Sequence, residues 1–137
     1  MSMLQKSNKF FPFLLLLLFL SCSKGHGLQL TENNITVYYD DADQEKTAKE
    51  ILDFLKANKI SPEHPMDLKL VKKDSKFQLL FIKAEAFTSE ELNFEEIRTF
   101  LELQQSLNMS VLSFKTTPCE IAISNNQFEV KEIPNPL

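Results

Sequence analysis

Hydrophobic and polar residues alternate in three pairs of short segments, and a run of turn-forming residues separates the members of each pair. Such alternation around a short polar turn is typical of a β-hairpin. The predicted hairpins join residues 28–30 to 35–39, 68–72 to 77–82, and 119–124 to 128–133. Segment 77–82, FQLLFI, is apolar on both faces except at Gln78, which predicts a central strand covered on both sides.

The third hairpin has its predicted turn at Asn125-Asn126. With that turn, the alternation places four apolar side chains on one face of the sheet. These four are Ile121, Ile123, Phe128 and Val130. Pro134 and Pro136 follow and are expected to end the domain, because proline is poorly tolerated inside a sheet.

Two longer segments carry apolar residues at helical spacing. Residues 44–58 and 94–111 each present one apolar stripe, and polar side chains cover the remaining surface. The stripes consist of Ala48, Ile51, Leu52 and Leu55 in the first segment and Ile97, Leu101, Gln104 and Leu107 in the second. Both segments are therefore predicted to be amphipathic helices that bury one side.

Capping signals precede both predicted helices. The acidic run 40–43 is expected to supply the N-cap of the first helix. Before the second helix, residues 88–91 and 93–96 each match the spacing of a capping box.

The order of elements is thus ββαββαββ. Two helices with one apolar stripe each must bury those stripes against the sheet. The pattern predicts a single α+β domain at residues 28–137, a two-layer sandwich with two helices on one face of a five- to six-stranded, mainly antiparallel sheet. A mixed sheet is the alternative, because strand–helix–strand connections can place strands parallel.

An uninterrupted apolar run at residues 10–20 precedes the domain. Lys6 and Lys9 lie before this run with no acidic residue, and the small residue Ser21 follows it. These three features together are typical of a secretory signal peptide. The run is too short for a transmembrane helix, which needs about 20 apolar residues. Residues 1–21 are therefore predicted to be a signal peptide that is removed.

The segment Phe19-Leu20-Ser21-Cys22 resembles the lipobox of bacterial membrane lipoproteins, in which the cysteine becomes the lipidated N-terminus. The resemblance implies that Cys22 carries acyl chains such as palmitate and anchors the protein in a bacterial cell membrane. A cysteine suits this role because its thiolate is a strong nucleophile. Two or more acyl chains hold a protein firmly, whereas one chain holds it weakly.

The residues after the cysteine refine this expectation. Many lipoproteins that stay at the inner membrane carry Asp where this chain has Ser23, so the resemblance favours the outer membrane. Residues 22–27 then form the lipidated cysteine and a flexible tether, which contains both glycines of the chain, Gly25 and Gly27.

Charge limits the classes of partner. The formal net charge is −4, and removal of the signal peptide makes it more negative because that segment contains two lysines and no acid. Nucleic-acid binding depends on lysine and arginine contacts to phosphate, so a nucleic-acid partner is not expected. The composition, 43% hydrophobic and 25% charged, is typical of a globular domain.

No catalytic, cofactor-binding or metal-binding constellation is recognisable. His26 lies in the tether and His64 before a proline, neither at metal-ligand spacing. Cys119 has no histidine near it in the sequence to activate it as a nucleophile. The acidic run lacks the glycine and distal glutamate of a calcium-binding loop. The chain is therefore predicted not to be an enzyme.

Two surface features remain. Lysines cluster around the second turn at Lys69, Lys72, Lys73 and Lys76, which is more typical of a protected hairpin edge than of an anion or lipid-headgroup contact. Four aromatic residues lie off the apolar stripes and would form a partner patch if they were exposed together. They are Tyr38, Phe54, Phe87 and Phe94.

Three functions remain open at this point. The first is a lipid-anchored, non-catalytic binding or assembly module of the cell envelope that contacts the membrane through Cys22 and a protein partner through a sheet edge or aromatic patch. The second is an envelope enzyme with a dispersed site. The third is a secreted domain in which Cys22 and Cys119 form a disulfide, as is common in oxidising compartments.

Overall fold

The computed structural model of the protein describes residues 26–82 and 91–136. The predicted signal peptide, Cys22, most of the tether, Thr88 and Phe87 lie outside the described residues. Within the described ranges, the chain forms the expected α+β fold with six strands, two long helices and the order ββαββαββ. The described part also contains two short 3₁₀ helices, Ala42–Gln44 and Leu112–Lys115.

The boundaries of the elements lie close to those predicted. The first hairpin comprises β1 (Leu28–Glu32) and β2 (Ile35–Tyr39), and the second comprises β3 (Met66–Lys72) and β4 (Phe77–Ile82). The helices are α1 (Glu45–Ala57) and α2 (Phe94–Ser110). The third hairpin comprises β5 (Cys119–Ser124) and the short strand β6 (Val130–Glu132).

The six strands lie in the sheet in the order of the sequence, β1 to β6. Pairs within a hairpin are antiparallel, whereas β2 with β3 and β4 with β5 are parallel. The sheet is therefore mixed, as the alternative prediction stated. The pair β4 and β5 runs in the opposite direction to the pair β2 and β3, and each pair is connected through a helix on the same face of the sheet. These two helical crossovers therefore have opposite hands. One of them is left-handed, whereas such crossovers are usually right-handed.

One face of the sheet, here called the helix face, forms the hydrophobic core. The strand registers align one row of residues from each strand on this face, where α1 and α2 pack on them. The largest fully buried side chains in these rows are Ile35, Val37, Leu68, Leu70, Leu79 and Ile121. The residues between them point to the other face, here called the open face, which neither helix covers in the described part of the chain.

The two helices begin differently. At α2 the predicted capping box is confirmed, because Asn93 Oδ1 accepts from the Glu96 amide at 2.9 Å and Glu96 Oε1 accepts from the Asn93 amide at 3.1 Å. At α1 the predicted acidic cap is wrong, because the N-cap is Gln44 and it makes no side-chain cap hydrogen bond; Asp41 precedes the short 3₁₀ helix and makes none either. Asp40 instead forms an ion pair with Lys69 at 3.3 Å.

The third hairpin differs from its prediction. Its turn is longer than two residues, because Asn125 Oδ1 accepts from the amides of Gln127 and Glu129 at 3.0 and 2.9 Å. Phe128 lies in this loop with a φ of 59°, and β6 begins only at Val130. Val130 pairs with Ser124 on the open face, so the predicted placement of Phe128 and Val130 beside Ile121 was wrong.

Candidate functional site

The histidines and the cysteine that could take part in catalysis or metal binding do not lie together. His64 is exposed in the loop before β3, Cys119 is buried in the core, and His26 contacts aromatic rings rather than acids. Within residues 26–82 and 91–136, no three His, Cys, Asp or Glu side chains form a group that could hold a metal ion. This arrangement offers no support for a dispersed catalytic centre in the described residues.

Cys119 is a structural residue rather than a nucleophile. It is a free thiol, only 3% exposed, at the start of β5. Burial raises the pKa of Cys119 to about 12, so the reactive thiolate is scarce at neutral pH. Cys119 points into the core of the helix face, whereas His26, the first described residue of the tether, lies on the open face. Cys22, its disulfide partner in the secreted alternative, lies outside the described residues.

The lysine cluster around the second turn is largely occupied by its own neighbours. Lys69 pairs with Asp40, and Lys76 pairs with Glu120 at 3.0 Å. The ammonium group of Lys72 lies 5.8 Å from the centre of the Phe77 ring, within cation–π range. These contacts occupy most of the cluster and argue against an anion site. The predicted role as a guarded edge was wrong, because β3 and β4 are both inner strands of the sheet.

The four aromatic residues singled out in the sequence do not form one patch. Phe54 is buried in the core and therefore contributes nothing to an exposed patch. Phe94 is 63% exposed at the start of α2. There it lines a shallow groove of about 300 Å³ with Ile97, Leu101 and Pro136. Tyr38 lies on the open face, away from this groove.

Tyr38 instead belongs to an aromatic cluster with His26 and Phe128. The centroid of the His26 ring lies 5.2 Å from the centroid of the Tyr38 ring and 5.2 Å from that of the Phe128 ring. The centroids of the Tyr38 and Phe128 rings are 5.8 Å apart. Burial and the nearby Asp67 carboxylate raise the pKa of Tyr38. This aromatic cluster joins the tether, an inner strand and the loop of the third hairpin on the open face.

Gly27 allows the tether to reach this cluster. Its φ is +94°, in the region that favours glycine, and a Cβ added there would lie 2.6 Å from the Tyr39 carbonyl oxygen. The chain passes so close to β2 that only a residue without a side chain fits. The close approach turns the chain before β1 toward the open face, where the His26 ring packs.

The β6 side of the sheet is closed by side chains. Gln104 Oε1 accepts from the Ile121 amide at 2.9 Å, and Asn108 bonds both the amide and the carbonyl of Cys119 at 2.7 and 2.9 Å. These contacts occupy the part of β5 that the short β6 leaves uncovered. A register shift at Ile123, Lys131 and Pro134 further guard this side.

The β1 side of the sheet is open by comparison. All five residues of β1 pair regularly with β2, through a two-residue turn at Asn33 and Asn34, whose φ values are 50° and 69°. Residues that flank such a turn exchange both backbone hydrogen bonds, so every second residue of β1 bonds to β2. The N–H and C=O groups of Gln29 and Thr31 therefore point outward.

In the described part of the chain, this edge has few of the usual guards, and Glu32 at its end is its one charged residue. β1 contains no proline, lysine or bulge, and within residues 26–82 and 91–136 no backbone group other than those of β2 bonds to it. Leu28, at its beginning, is 46% exposed. The edge is thus a template on which another extended chain can add a strand.

Sequence reasoning did not find the amide contacts or the aromatic cluster. Gln104 lies at a position of the apolar stripe of α2. A polar side chain at such a position was the sequence feature that could have indicated its hydrogen bond to the backbone of β5. The third hairpin gave a signal at Asn125, since an asparagine side chain readily bonds backbone groups two residues later. Nothing in the sequence indicated that His26 and Phe128 meet.

Comparison with known families gives one match. The model described as the AF_1994_N family N-terminal domain matches residues 29–133, which include nearly the whole sheet and both helices. No curated protein and no solved structure matches the chain.

Proposed function

The chain belongs to the AF_1994_N family through that family's N-terminal domain, and we propose that it is a lipid-anchored, non-catalytic binding module of the bacterial cell envelope. Its lipid is attached at Cys22, and its partner is a protein that supplies an extended segment to the β1 edge. The observation that supports this function best is the lightly guarded edge of β1, which begins only six positions after Cys22 in the sequence.

The anchor is supported by the lipobox resemblance at Phe19-Leu20-Ser21-Cys22. In the described part of the chain, no helix combines the length and apolar character needed to cross a bilayer. Acyl chains on Cys22 would hold the domain at the membrane, with Ser23 favouring the outer membrane.

Partner binding through β1 follows from ordinary sheet chemistry. An added strand satisfies the outward N–H and C=O groups of Gln29 and Thr31, which gives affinity without any catalytic residue. The exposed side chain of Leu28 adds an apolar contact at one end of the edge. Because Glu32 is the only charged residue of β1, the edge repels few candidate segments.

The anchor is tested by metabolic labelling. The full chain and its Cys22→Ala variant are expressed in bacteria with a radiolabelled fatty acid, and the mature mass is determined. We expect label only in the wild type, with the mass of a chain that begins at acylated Cys22. A soluble, unlabelled protein with a Cys22–Cys119 disulfide would favour the secreted alternative.

The binding edge is tested by photocrosslinking in cells, with the crosslinking residue placed at Leu28. The variant Thr31→Pro removes an outward amide but no backbone bond to β2. Thr31→Ala is the matched control, because both variants lose the side-chain bond to the Thr36 hydroxyl and only Thr31→Ala keeps the amide. We expect one crosslinked protein band in the wild type and Thr31→Ala, and its loss in Thr31→Pro. Equal crosslinking in the two variants would exclude strand addition at β1.

A further inference from the structure

The aromatic cluster requires a loop to cross the open face. Phe128 belongs to the loop between β5 and β6, whereas Tyr38 is in β2. Neighbouring strands lie about 4.8 Å apart, so three spacings separate β2 from β5 by about 14 Å. The register row from Tyr38 toward the loop contains Leu80 and Ala122, and both are buried although no helix lies above them. Loop and tether thus meet over the middle of this face.

The same cluster fixes where the tether leaves the domain. The His26 ring packs on Tyr38 and Phe128, and Gly27 directs the chain there. Only four residue steps separate His26 from Cys22, which span at most about 14 Å when fully extended. An acyl chain on Cys22 therefore holds the aromatic cluster close to the bilayer, whatever path the tether takes.

The distribution of charge agrees with this placement. On the open face, Lys69 is paired with Asp40 and Glu120 with Lys76, so these four charges largely cancel, while Asp67 adds one carboxylate beside Tyr38. The first half of α2 and the three residues before it carry four glutamates and one arginine. They are Glu91, Glu95, Glu96, Glu102 and Arg98. Anionic lipid headgroups repel such a surface, so α2 is best placed away from the bilayer.

We infer that the open face, around His26, Tyr38 and Phe128, is the membrane-facing surface of the anchored protein, and that the helix face points away from the bilayer. This orientation rests on the proposed lipid at Cys22. Histidine, tyrosine and phenylalanine suit the interface, because aromatic rings with a polar edge are stable at the headgroup level. The strands then lie roughly parallel to the membrane, and the β1 edge is accessible from the side.

The orientation is tested with a fluorophore at single introduced cysteines. In the acylated protein Cys22 is blocked and Cys119 is buried, so an introduced cysteine is the only reactive thiol. The probe is attached at Gln127→Cys, beside Phe128, or at Lys46→Cys, on the exposed side of α1. The full chain is matured in bacteria and reconstituted into phosphatidylcholine and phosphatidylglycerol vesicles that contain a headgroup-labelled nitroxide lipid.

We expect the Gln127 probe to be quenched several-fold more strongly than the Lys46 probe. Equal quenching, or stronger quenching at Lys46, in protein that floats with the vesicles would overturn the orientation and leave the anchor intact. Absence of flotation, with no acyl mass on Cys22, would overturn both. The same probes in a Cys22→Ala background are the control, and quenching there should be weak at both positions.

Discussion

The side chain of Asn108 bonds Cys119 as a neighbouring strand would. Its Oδ1 accepts from the Cys119 amide at 2.7 Å and its Nδ2 donates to the Cys119 carbonyl at 2.9 Å. The pair joins the last turn of α2 to the first residue of β5. It therefore satisfies the backbone groups of Cys119 that β6 does not reach and ties the end of the helix to the sheet.

Replacement of Asn108 should lower stability more than an exposed change on the same helix. Asn108→Ala leaves the buried amide and carbonyl of Cys119 without partners, which typically costs about 1–3 kcal/mol. Gln105→Ala, at an exposed position nearby, should change the free energy of unfolding by less than about 0.5 kcal/mol. Urea denaturation of both variants provides the comparison, and equal stabilities would show that the Asn108 bonds contribute nothing.

Cys119 should make the fold sensitive to alkaline pH. Its pKa rises from the ordinary value of 9.0 to about 12 in the folded protein because the thiol is buried. As the pH rises, the thiol therefore loses its proton in the unfolded chain before it does so in the folded protein. The stabilisation from the protonated thiol is fully present below pH 9 and is lost as the pH rises toward 12. The slope is about 1.4 kcal/mol per pH unit.

The measurement is the free energy of unfolding at several pH values for wild type and Cys119→Ala. Tyr38 and Tyr39 also have raised pKa values, chiefly through burial, and they contribute to the slope in both proteins. The difference between the two curves isolates the thiol. Parallel curves above pH 9 would contradict the assignment of a raised pKa to Cys119.

The aromatic cluster should depend on Gly27. In Gly27→Ala the new Cβ collides with the Tyr39 carbonyl oxygen, and the positive φ adds strain of about 1–3 kcal/mol. We expect the His26 ring to leave Tyr38 and Phe128, with loss of the ring-current shifts of these residues in the NMR spectrum. His26→Ala is the matched control, since it removes the ring without strain. Unchanged shifts in Gly27→Ala would refute the role of this glycine.

The outward direction of the β1 backbone groups can be checked by stability alone. Gln29→Pro removes an amide that points away from β2 and should cost less than about 1 kcal/mol. Leu30→Pro removes a bond to β2 and should be far more destabilising than Leu30→Ala, which controls for the lost side chain. Thermal denaturation distinguishes the variants. If proline were tolerated at Leu30 but not at Gln29, the assignment would be wrong, and the amide of Gln29 rather than that of Leu30 would bond to β2.

Much of the fold followed from periodicity. The helical spacing of 94–111 predicted a helix that the structure places at Phe94–Ser110, and the alternating segments predicted all three hairpins. Strand direction across each helix was open, because an apolar pattern records which face is buried but not which strand pairs with which. The parallel pairing of β2 with β3 became visible only in three dimensions.

The error at the third hairpin and the missed contacts of α2 share one physical cause, which is side-chain to backbone bonding. Asn125 bonds the amides of Gln127 and Glu129, and this lengthens a turn that the alternation alone placed at two residues. Phe128 is thereby moved out of the strand. Gln104 and Asn108 similarly bond backbone groups that lie 17 and 11 residues away in the sequence. Such partners cannot be inferred from local patterns.

The difference between the two sides of the sheet sets an upper limit on self-assembly. A sheet with two free edges can add copies without end and grow into a fibre, whereas a sheet with one free edge is complete after a single addition. In the described part of this protein, amide side chains of α2 bond the portion of β5 that β6 does not cover, and a register shift interrupts the pairing of β6, which leaves β1 as the regular edge. Two copies that met edge to edge would use up both free edges, so the association would stop at a closed pair.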